Sequence, residues 1–147
     1  MAPTTAQIDR FRRFSRFYTA LLGLLDDRLL HSPASLAQGR ILFEVGVEPD
    51  CTARDLGRRL DMDRGQLSRT LSGLERQGWL SRAPHPGDRR ARRLRLTPAG
   101  RLLLTELERR SRDQVAGILA GLDNEQRERL DRAMADIEDL LSPPAAG

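Results

Sequence analysis

The sequence contains no lysine, and all 25 of its basic side chains are arginine. Codon usage rich in G and C favours arginine, alanine, glycine and proline, and we attribute the missing lysine to that bias rather than to function. Aromatic residues are also scarce, with four Phe, one Tyr and one Trp among 147 residues. Leucine must therefore carry the packing, in a chain long enough for one domain or one protomer of a small oligomer.

Cysteine and histidine are nearly absent. Cys51 is the only cysteine, which excludes an intrachain disulfide and a thiolate metal cage within one protomer. His31 and His85 are far apart in sequence and fall in different predicted elements, so we expect neither a metal site nor a cofactor. Cys51 lies in a predicted link between helices, and we expect a buried or inert thiol rather than a redox sensor.

Long apolar runs and catalytic patterns are also missing. The longest apolar run, Ala20 to Leu25, is interrupted by Gly23 and is far too short to span a bilayer. The N-terminus lacks the charged start and apolar core of a signal peptide, so we expect a cytoplasmic protein. Neither a Ser/His/Asp series nor a glycine-rich phosphate loop after a strand can be assembled, so we do not expect an enzyme.

Charge is distributed unevenly along the chain. Residues 1–53 carry six arginines and six acidic residues, residues 54–95 carry twelve and five, and residues 96–147 carry seven and ten. The net charges are 0, +7 and −3, which sum to +4. A basic segment of this kind indicates nucleic-acid binding, because codon bias alone would spread arginine evenly. Membrane headgroups would accept the charge, but a basic helix with bulky apolar anchors is missing.

Residues 52–77 predict two short helices joined by a tight turn. Thr52 and Asp55 have the spacing of a capping box, which begins the first helix. Asp63 and Gln66 repeat that spacing and begin the second helix, at about residues 64–77. Gly78 supplies the left-handed residue expected just past a helix end.

The outward face of the second helix is predicted to carry Arg, Gln and Ser side chains and no acid. Such side chains hydrogen-bond base edges and phosphates in a major groove, so this face predicts DNA contact. The alternative is an ordinary solvated surface. The candidates for base-edge or nearby phosphate contact are Gln66, Ser68, Arg69 and Ser72, and those for phosphate contact are Arg54, Arg64 and Arg76.

Residues 79–97 predict a β-hairpin. The strands are expected at 79–83 and 92–97, where Leu94 and Leu96 alternate with arginines as a half-buried strand requires. The loop between them, PHPGDRRA, places Arg89 and Arg90 at or near its tip. The negative potential of a minor groove attracts guanidinium groups, and Asp88 is expected to hold one of these arginines by an ion pair. The alternative makes Asp88 a turn-forming residue and the arginines a soluble tip.

Helices are also predicted on both sides of this segment. Residues 6–30 have a broad apolar stripe with helical spacing, ended by His31-Ser32-Pro33, and a second helix runs from Ser35 to about Val45. Thr97-Pro98 begins a long helix that Gly121 ends. Asp123 begins a last helix with an apolar stripe up to Leu141, before Ser142-Pro143-Pro144 terminates the fold. These stripes exceed what one small core covers, so we expect a homodimer.

The segment 52–97 resembles the winged helix-turn-helix of the MarR family of bacterial transcription regulators. It matches that family's recognition helix, its helix-to-wing junction, and its D-x-R and L-T-x-x-G patterns. The resemblance covers most of the chain, because the flanking helices fall where the family places its dimerisation helices. The matching residues are Leu67-Ser68-Arg69 through Leu74-Glu75, Gly78-Trp79-Leu80, Asp88-Arg89-Arg90 and Leu94-x-Leu96-Thr97-Pro98-x-Gly100.

The resemblance implies a mainly α fold with a small β-hairpin wing. Residues 1–147 would form one protomer, with a winged helix-turn-helix lobe at 35–97 and dimerisation helices at 6–30 and 105–141. The implied function is a homodimeric, sequence-specific regulator of transcription, and repression is the family's commoner habit. Its partners would be double-stranded DNA, a second copy and a small effector. Arg90, buttressed by Asp88, would enter the minor groove, with Arg89 assisting it or meeting the DNA backbone.

The family commonly responds to small aromatic acids, drugs or oxidants. The residues expected to line a cleft for such an aromatic or phenolic ligand are Phe14, Tyr18, Leu22, His31 and Phe43; the alternative makes the aromatics core residues. Two other functions stay open. The chain ends in Pro-Pro-Ala-Ala-Gly, which is also consistent with the regulatory front part of a fusion to an acetyltransferase. A winged helix can also bind an acidic protein partner in place of DNA.

Overall fold

A computed structural model describes residues 1–143 of the chain. The elements, in order, are α1 (Thr5–Leu21), a short 3₁₀ turn (Leu29–His31), α2 (Leu36–Val47), α3 (Ala53–Leu60), α4 (Arg64–Arg76), β1 (Leu80–His85), β2 (Asp88–Leu96), α5 (Pro98–Ala120) and α6 (Asn124–Leu141). The predicted class, mainly α with one β-hairpin wing, is confirmed. The chain divides into two compact units, residues 1–110 and residues from 111 onward.

Helix starts follow the predicted capping chemistry. Reciprocal capping boxes join Ser35 to Gln38, Thr52 to Asp55 and Asp123 to Gln126, so α2, α3 and α6 begin where their sequences indicate. At α4 the side chain of Asp63 accepts from the backbone N–H of Gln66 at 3.1 Å. Each such bond satisfies a backbone donor that the first turn of a helix leaves unpaired.

A leucine-rich core lies between α2, α3, α4, the hairpin and the first turns of α5. Ile41, Leu42, Leu56, Leu74 and Leu94 are each 0% exposed. Leu107 of α5 joins the same cluster at 5% exposure. This core orients the two helices and the hairpin that carry the basic charge.

The first helix is shorter than predicted. It ends at Leu21, because Gly23 takes a left-handed conformation with φ of +66°. Leu29 lies in the separate 3₁₀ turn and packs against the core. The prediction of one helix over residues 6–30 is therefore wrong beyond Leu21, since leucines at helical spacing continue through a segment that folds as turns.

The hairpin is longer than predicted and its loop is shorter. Only Pro86 and Gly87 separate the strands, and Asp88, Arg89 and Arg90 belong to β2. The prediction treated Pro84 as the start of a loop, but a proline is tolerated on an edge strand, and each strand of a two-stranded sheet is an edge strand. The register pairs Leu80 with Leu96 and Arg82 with Leu94 and shifts between Pro84 and His85.

Thr97 connects α4, the hairpin and α5. Its hydroxyl donates to the carbonyl of Gly78 at 2.5 Å and accepts from the backbone N–H of Gly100 at 3.0 Å. Its own backbone N–H donates to the carbonyl of Trp79 at 3.1 Å. Gly100 is buried directly against that carbonyl, where a Cβ atom would overlap it. The L-T-x-x-G pattern is thus a close backbone approach held by one hydroxyl.

The last two helices end as their sequences predict. Gly121 follows the last residue of α5, and Ser142 caps the end of α6. Pro144, predicted to help terminate the fold, lies outside the described residues. Among residues 1–143, no helix combines the length and apolar character needed to cross a bilayer.

Replacing Gly100 with alanine tests the close approach at the α5 junction. We expect the free energy of unfolding to fall by about 3 kcal/mol, the upper end for overpacking, because the methyl group meets a fixed backbone carbonyl. Gly57→Ala is the matched control, since its Cβ would lie 3.5 Å from Leu67 in ordinary contact. That control is expected to gain about 0.5 to 1 kcal/mol. Equal urea-denaturation midpoints for the two variants would contradict this account.

Candidate nucleic-acid interface

The outer face of α4 presents polar and basic side chains to solvent. Leu67, Leu71 and Leu74 on the opposite face are at most 6% exposed, and their burial sets the rotation of the helix about its axis. The outer face is therefore held outward by the core. Its exposed residues are Arg64, Gln66, Ser68, Arg69, Ser72 and Arg76.

One acid does lie on the exposed surface of α4. Glu75 follows Ser68 by seven residues, two helical turns, and its side chain is 38% exposed. The prediction of an acid-free face is wrong in this respect. The charge of Glu75 is compensated, however, because its Oε1 accepts from Nε of Arg82 on β1 at 2.5 Å. The face keeps an excess of positive charge.

A groove runs between α3, α4 and β1, and we call it the helix groove. Its volume is about 810 Å³, and Leu67 and Leu71 form part of its floor. It brings Arg54 of α3 and Arg64 of α4 to the same depression beside Ser68. Arg82, which sequence reasoning missed, lines it as well.

The arginines of this lobe fall into two groups. Some are held by acids, such as Arg58 by Asp55 at 2.7 Å, and Arg59 by Glu48. The others are exposed and form no ion pair within 4.0 Å anywhere in residues 1–143. On α3, α4 and the hairpin, this second group is Arg54, Arg64, Arg69, Arg76, Arg89, Arg90 and Arg92.

Asp88 has a different role from the one predicted. Its carboxylate accepts from the backbone N–H of Arg90 at 2.9 Å, closing a turn at the start of β2. Within the described chain it forms no ion pair with the guanidinium of Arg89 or Arg90, so the expected side-chain buttress is absent. A second groove, which we call the wing groove, has a volume of about 490 Å³ and is lined by Arg54, Arg82, Asp88 and Arg90 among others.

The sequence profile of the MarR family matches residues 33–91, which span α2, α3, α4 and most of the hairpin. Over these residues the chain is of the MarR type. The match includes the helix pair and the first residues of β2, where all of these unpaired arginines except Arg92 lie.

Solved structures share this fold over nearly the whole chain. FabT of Streptococcus pneumoniae, in complex with DNA, has a TM-score of 0.76 and 23% identity, covering 91% of this chain and 96% of its own. A mutant MarR of Escherichia coli with operator DNA has a TM-score of 0.72 and 22% identity, covering 92% and 99%. PcaV of Streptomyces coelicolor with its natural ligand has a TM-score of 0.65 and 24% identity, covering 95% and 98%.

The wing is anchored by Asp50, which sequence reasoning missed. Arg95 donates to both of its carboxylate oxygens, at 2.5 and 2.9 Å. These hydrogen bonds hold the pKa of Asp50 below its ordinary value. Asp50 and Cys51 also exchange backbone hydrogen bonds with Leu94, at 3.0 and 2.9 Å. The link before α3 is thereby fastened along β2, although 43 or more residues separate the partners in sequence.

The predicted ligand-cleft residues lie on three elements. Phe14 and Tyr18 stack on α1 with ring centroids 5.7 Å apart, and each is 42% exposed. Phe43 on α2 is 49% exposed, so the alternative that these aromatics are core residues is wrong in the protomer. Leu22 caps α1, and His31 lies in the 3₁₀ turn. The helix and wing grooves are lined by other residues, and the cleft stays a prediction.

Cys51 is buried, as expected, with 3% of its surface exposed. Burial raises the pKa of its thiol, so the reactive thiolate is scarce at neutral pH. Within residues 1–143 no group of three or more His, Cys, Asp or Glu side chains is placed to hold a metal ion.

The burial of Cys51 predicts low thiol reactivity. With Ellman's reagent at neutral pH, the folded protein should react at least about tenfold more slowly than the protein in denaturant, because the thiol is exposed only by local opening. The same measurement on Cys51→Ser gives the background signal in the absence of a thiol. A folded-state rate equal to the denatured rate would show that the thiol is accessible and would reopen an oxidant-sensing role.

Proposed function

We propose that this regulator acts as a homodimer that reads a pseudo-palindromic operator and represses transcription from it. The observation that carries the proposal is the group of seven exposed arginines without ion pairs, spread over the start of α3, α4 and the wing. Solvent-exposed helices usually carry both acidic and basic side chains. A surface that keeps only its positive charges unpaired is therefore better suited to binding a polyanion than to contact with water alone.

In this proposal α4 enters the major groove. Arg69, Gln66, Ser68 and Ser72 reach base edges or nearby phosphates, since arginine and glutamine can contact guanine and adenine with two hydrogen bonds. The residues that hold phosphates on either side are Arg54, Arg64 and Arg76. Support comes from the exposure of all seven side chains and from the DNA-bound relatives that share the fold.

The wing enters the adjacent minor groove. Arg89 and Arg90 are the second and third residues of β2, just after the two-residue turn, and both are exposed. A narrow minor groove concentrates negative potential, which favours guanidinium groups carried by a thin hairpin. Asp88 positions Arg90 through its backbone, at 2.9 Å, rather than through an ion pair.

The homodimer is supported by apolar side chains that the protomer leaves uncovered. None of the residues of α1 is buried, and Phe11 and Phe17 are 57% and 62% exposed. In α6, which also has no buried residue, Leu140 and Leu141 are 82% and 60% exposed. Exposed apolar stripes of this kind lower solubility unless a partner covers them. In a two-fold symmetric dimer the stripes of both protomers are buried in one interface.

A dimer with two-fold symmetry sets the spacing of the two α4 helices. They would lie about 34 to 36 Å apart, one helical turn of DNA, which matches half-sites of a pseudo-palindrome. Repression then follows if the operator overlaps a promoter. A small aromatic or phenolic effector would release the dimer by changing this spacing, as the natural ligand bound by PcaV suggests. Its proposed cleft is lined by Phe14, Tyr18, Leu22, His31 and Phe43.

Two arginines of the same helix test the assignment of roles. Arg69→Ala should cost about 1 to 3 kcal/mol on the operator and relax its sequence preference, since a base contact is lost. Arg76→Ala should weaken all duplexes alike and lower the slope of log affinity against log salt by about one per protomer. Operator fragments selected from the source genome, and a scrambled duplex, would be titrated by fluorescence anisotropy at several salt concentrations.

Two outcomes would contradict the proposal. If Arg69→Ala binds the operator as tightly as the wild type across salt concentrations, α4 is not the base-reading element. If the wild type binds no duplex even at low salt, the lobe serves another partner, and an acidic protein becomes the better candidate.

The oligomeric state is tested by light scattering at micromolar concentration. The wild type should show twice the protomer mass of 16.6 kDa. Phe11→Arg, which places a charge on the apolar stripe of α1, should shift the mass toward one protomer. Val47→Arg on α2, where the native side chain is 67% exposed, is the matched control and should stay dimeric. A monomeric wild type would overturn the homodimer.

A further inference from the structure

One face of the hairpin changes from leucine to arginine along its length. Leu80 and Leu96 pair in register and are buried, and the next pair on the same face is Arg82 with the buried Leu94. Opposed residues of an antiparallel pair share a face, so Arg82 lies on the side turned toward the core. Arg92 precedes Leu94 by two residues and continues this face outward.

Arg82 stands where the helix groove and the wing groove meet. Both grooves are lined by Arg54 and Arg82, and Arg92 lines the wing groove. Three guanidinium groups from α3, β1 and β2 thus border one depression at the base of the hairpin. None of this was visible in the order of the residues, because 28 positions separate Arg54 from Arg82.

The acids that line the wing groove are already engaged. Asp55 caps α3 and pairs with Arg58 at 2.7 Å, and Asp88 accepts from the backbone of Arg90. Glu75 accepts from Nε of Arg82, which leaves both terminal nitrogens of that guanidinium without a partner in residues 1–143. Glu75 therefore orients the guanidinium group of Arg82, and the N–H groups of its two terminal nitrogens stay available to a ligand.

We propose that Arg54, Arg82 and Arg92 form a phosphate cleft that grips the DNA backbone between the two grooves of the duplex. The proposal rests on the proposed function. A protein that places α4 in the major groove and the wing in the adjacent minor groove must straddle the sugar-phosphate strand between them. The cleft lies between those two elements, and guanidinium groups bind phosphate oxygens with paired hydrogen bonds. Glu75 is a positioning residue for Arg82.

A different role for Arg82 would have different consequences. Inward charges also protect sheet edges against pairing, and the ion pair with Glu75 alone would clamp the wing to α4. In either case removing Arg82 would alter stability or wing position without removing a phosphate contact. The number of released counterions separates these roles, because it is measured by the salt dependence of binding.

The experiment measures binding of the full chain to a mixed-sequence duplex of about 30 base pairs, long enough for two half-sites one turn apart. Arg82→Gln and Arg92→Gln should each lower the slope of log affinity against log salt by about 0.9 per protomer, or about 1.8 per dimer. Arg101→Gln is the control, since it removes one exposed arginine of the same lobe outside the cleft. Melting temperatures verify that each variant is folded.

Glu75→Gln separates a phosphate contact from a clamp. Glutamine still accepts a hydrogen bond from Arg82 but carries no negative charge. The affinity for DNA should therefore rise about two- to threefold or more, the effect of removing one surface repulsion between the Glu75 carboxylate and the phosphates. The slope of log affinity against log salt should be retained. If Arg82 is only a clamp, Arg82→Gln will leave the slope equal to that of Arg101→Gln, and the cleft is overturned.

Failure of the cleft and failure of the proposed function give different results. A wild type without duplex affinity defeats both. A wild type that binds steeply with salt, loses specificity in Arg69→Ala, and keeps its slope in Arg82→Gln defeats the cleft alone.

Discussion

The hydroxyl of Thr97 is the contact on which the geometry of the helix-and-hairpin lobe depends. It bridges the carbonyl of Gly78, just after the end of α4, and the backbone N–H of Gly100, in the first turn of α5. Because Gly100 has no side chain, α5 approaches the carbonyl of Trp79 more closely than any other residue would allow. The end of α4, both strands of the hairpin and the start of α5 are therefore held in one arrangement.

That arrangement explains how arginines with the same side chain take different roles. Where the hairpin meets α4 or the link before α3, arginines are held by acids, as Arg82 is by Glu75 and Arg95 is by Asp50. Where the surface turns away from the core, as at Arg69 and along the wing, arginines have no acid within reach. The paired arginines fasten the wing, and the unpaired ones leave positive charge for a ligand.

Predictions from sequence succeeded where a local interaction decides the conformation. Thr52 with Asp55 and Asp123 with Gln126 form the capping boxes that their spacing indicates, because both partners lie within one helical turn. Prediction failed where an equally local pattern is compatible with two conformations. Leucines continue at helical spacing past Leu21, but Gly23 turns the chain, and Pro84 is compatible with either a loop or an edge strand.

The order of residues by itself determined the element types, the buried leucine face of α4 and the basic character of residues 54–95. These depend on periodicity, capping and composition, which act over a few residues. Only the tertiary structure decided which arginines are neutralised and which are free. It also decided that Asp50 anchors β2 and that Arg54 and Arg82 share one groove. Those relations join residues tens of positions apart, and packing of the core, rather than any local preference, brings them together.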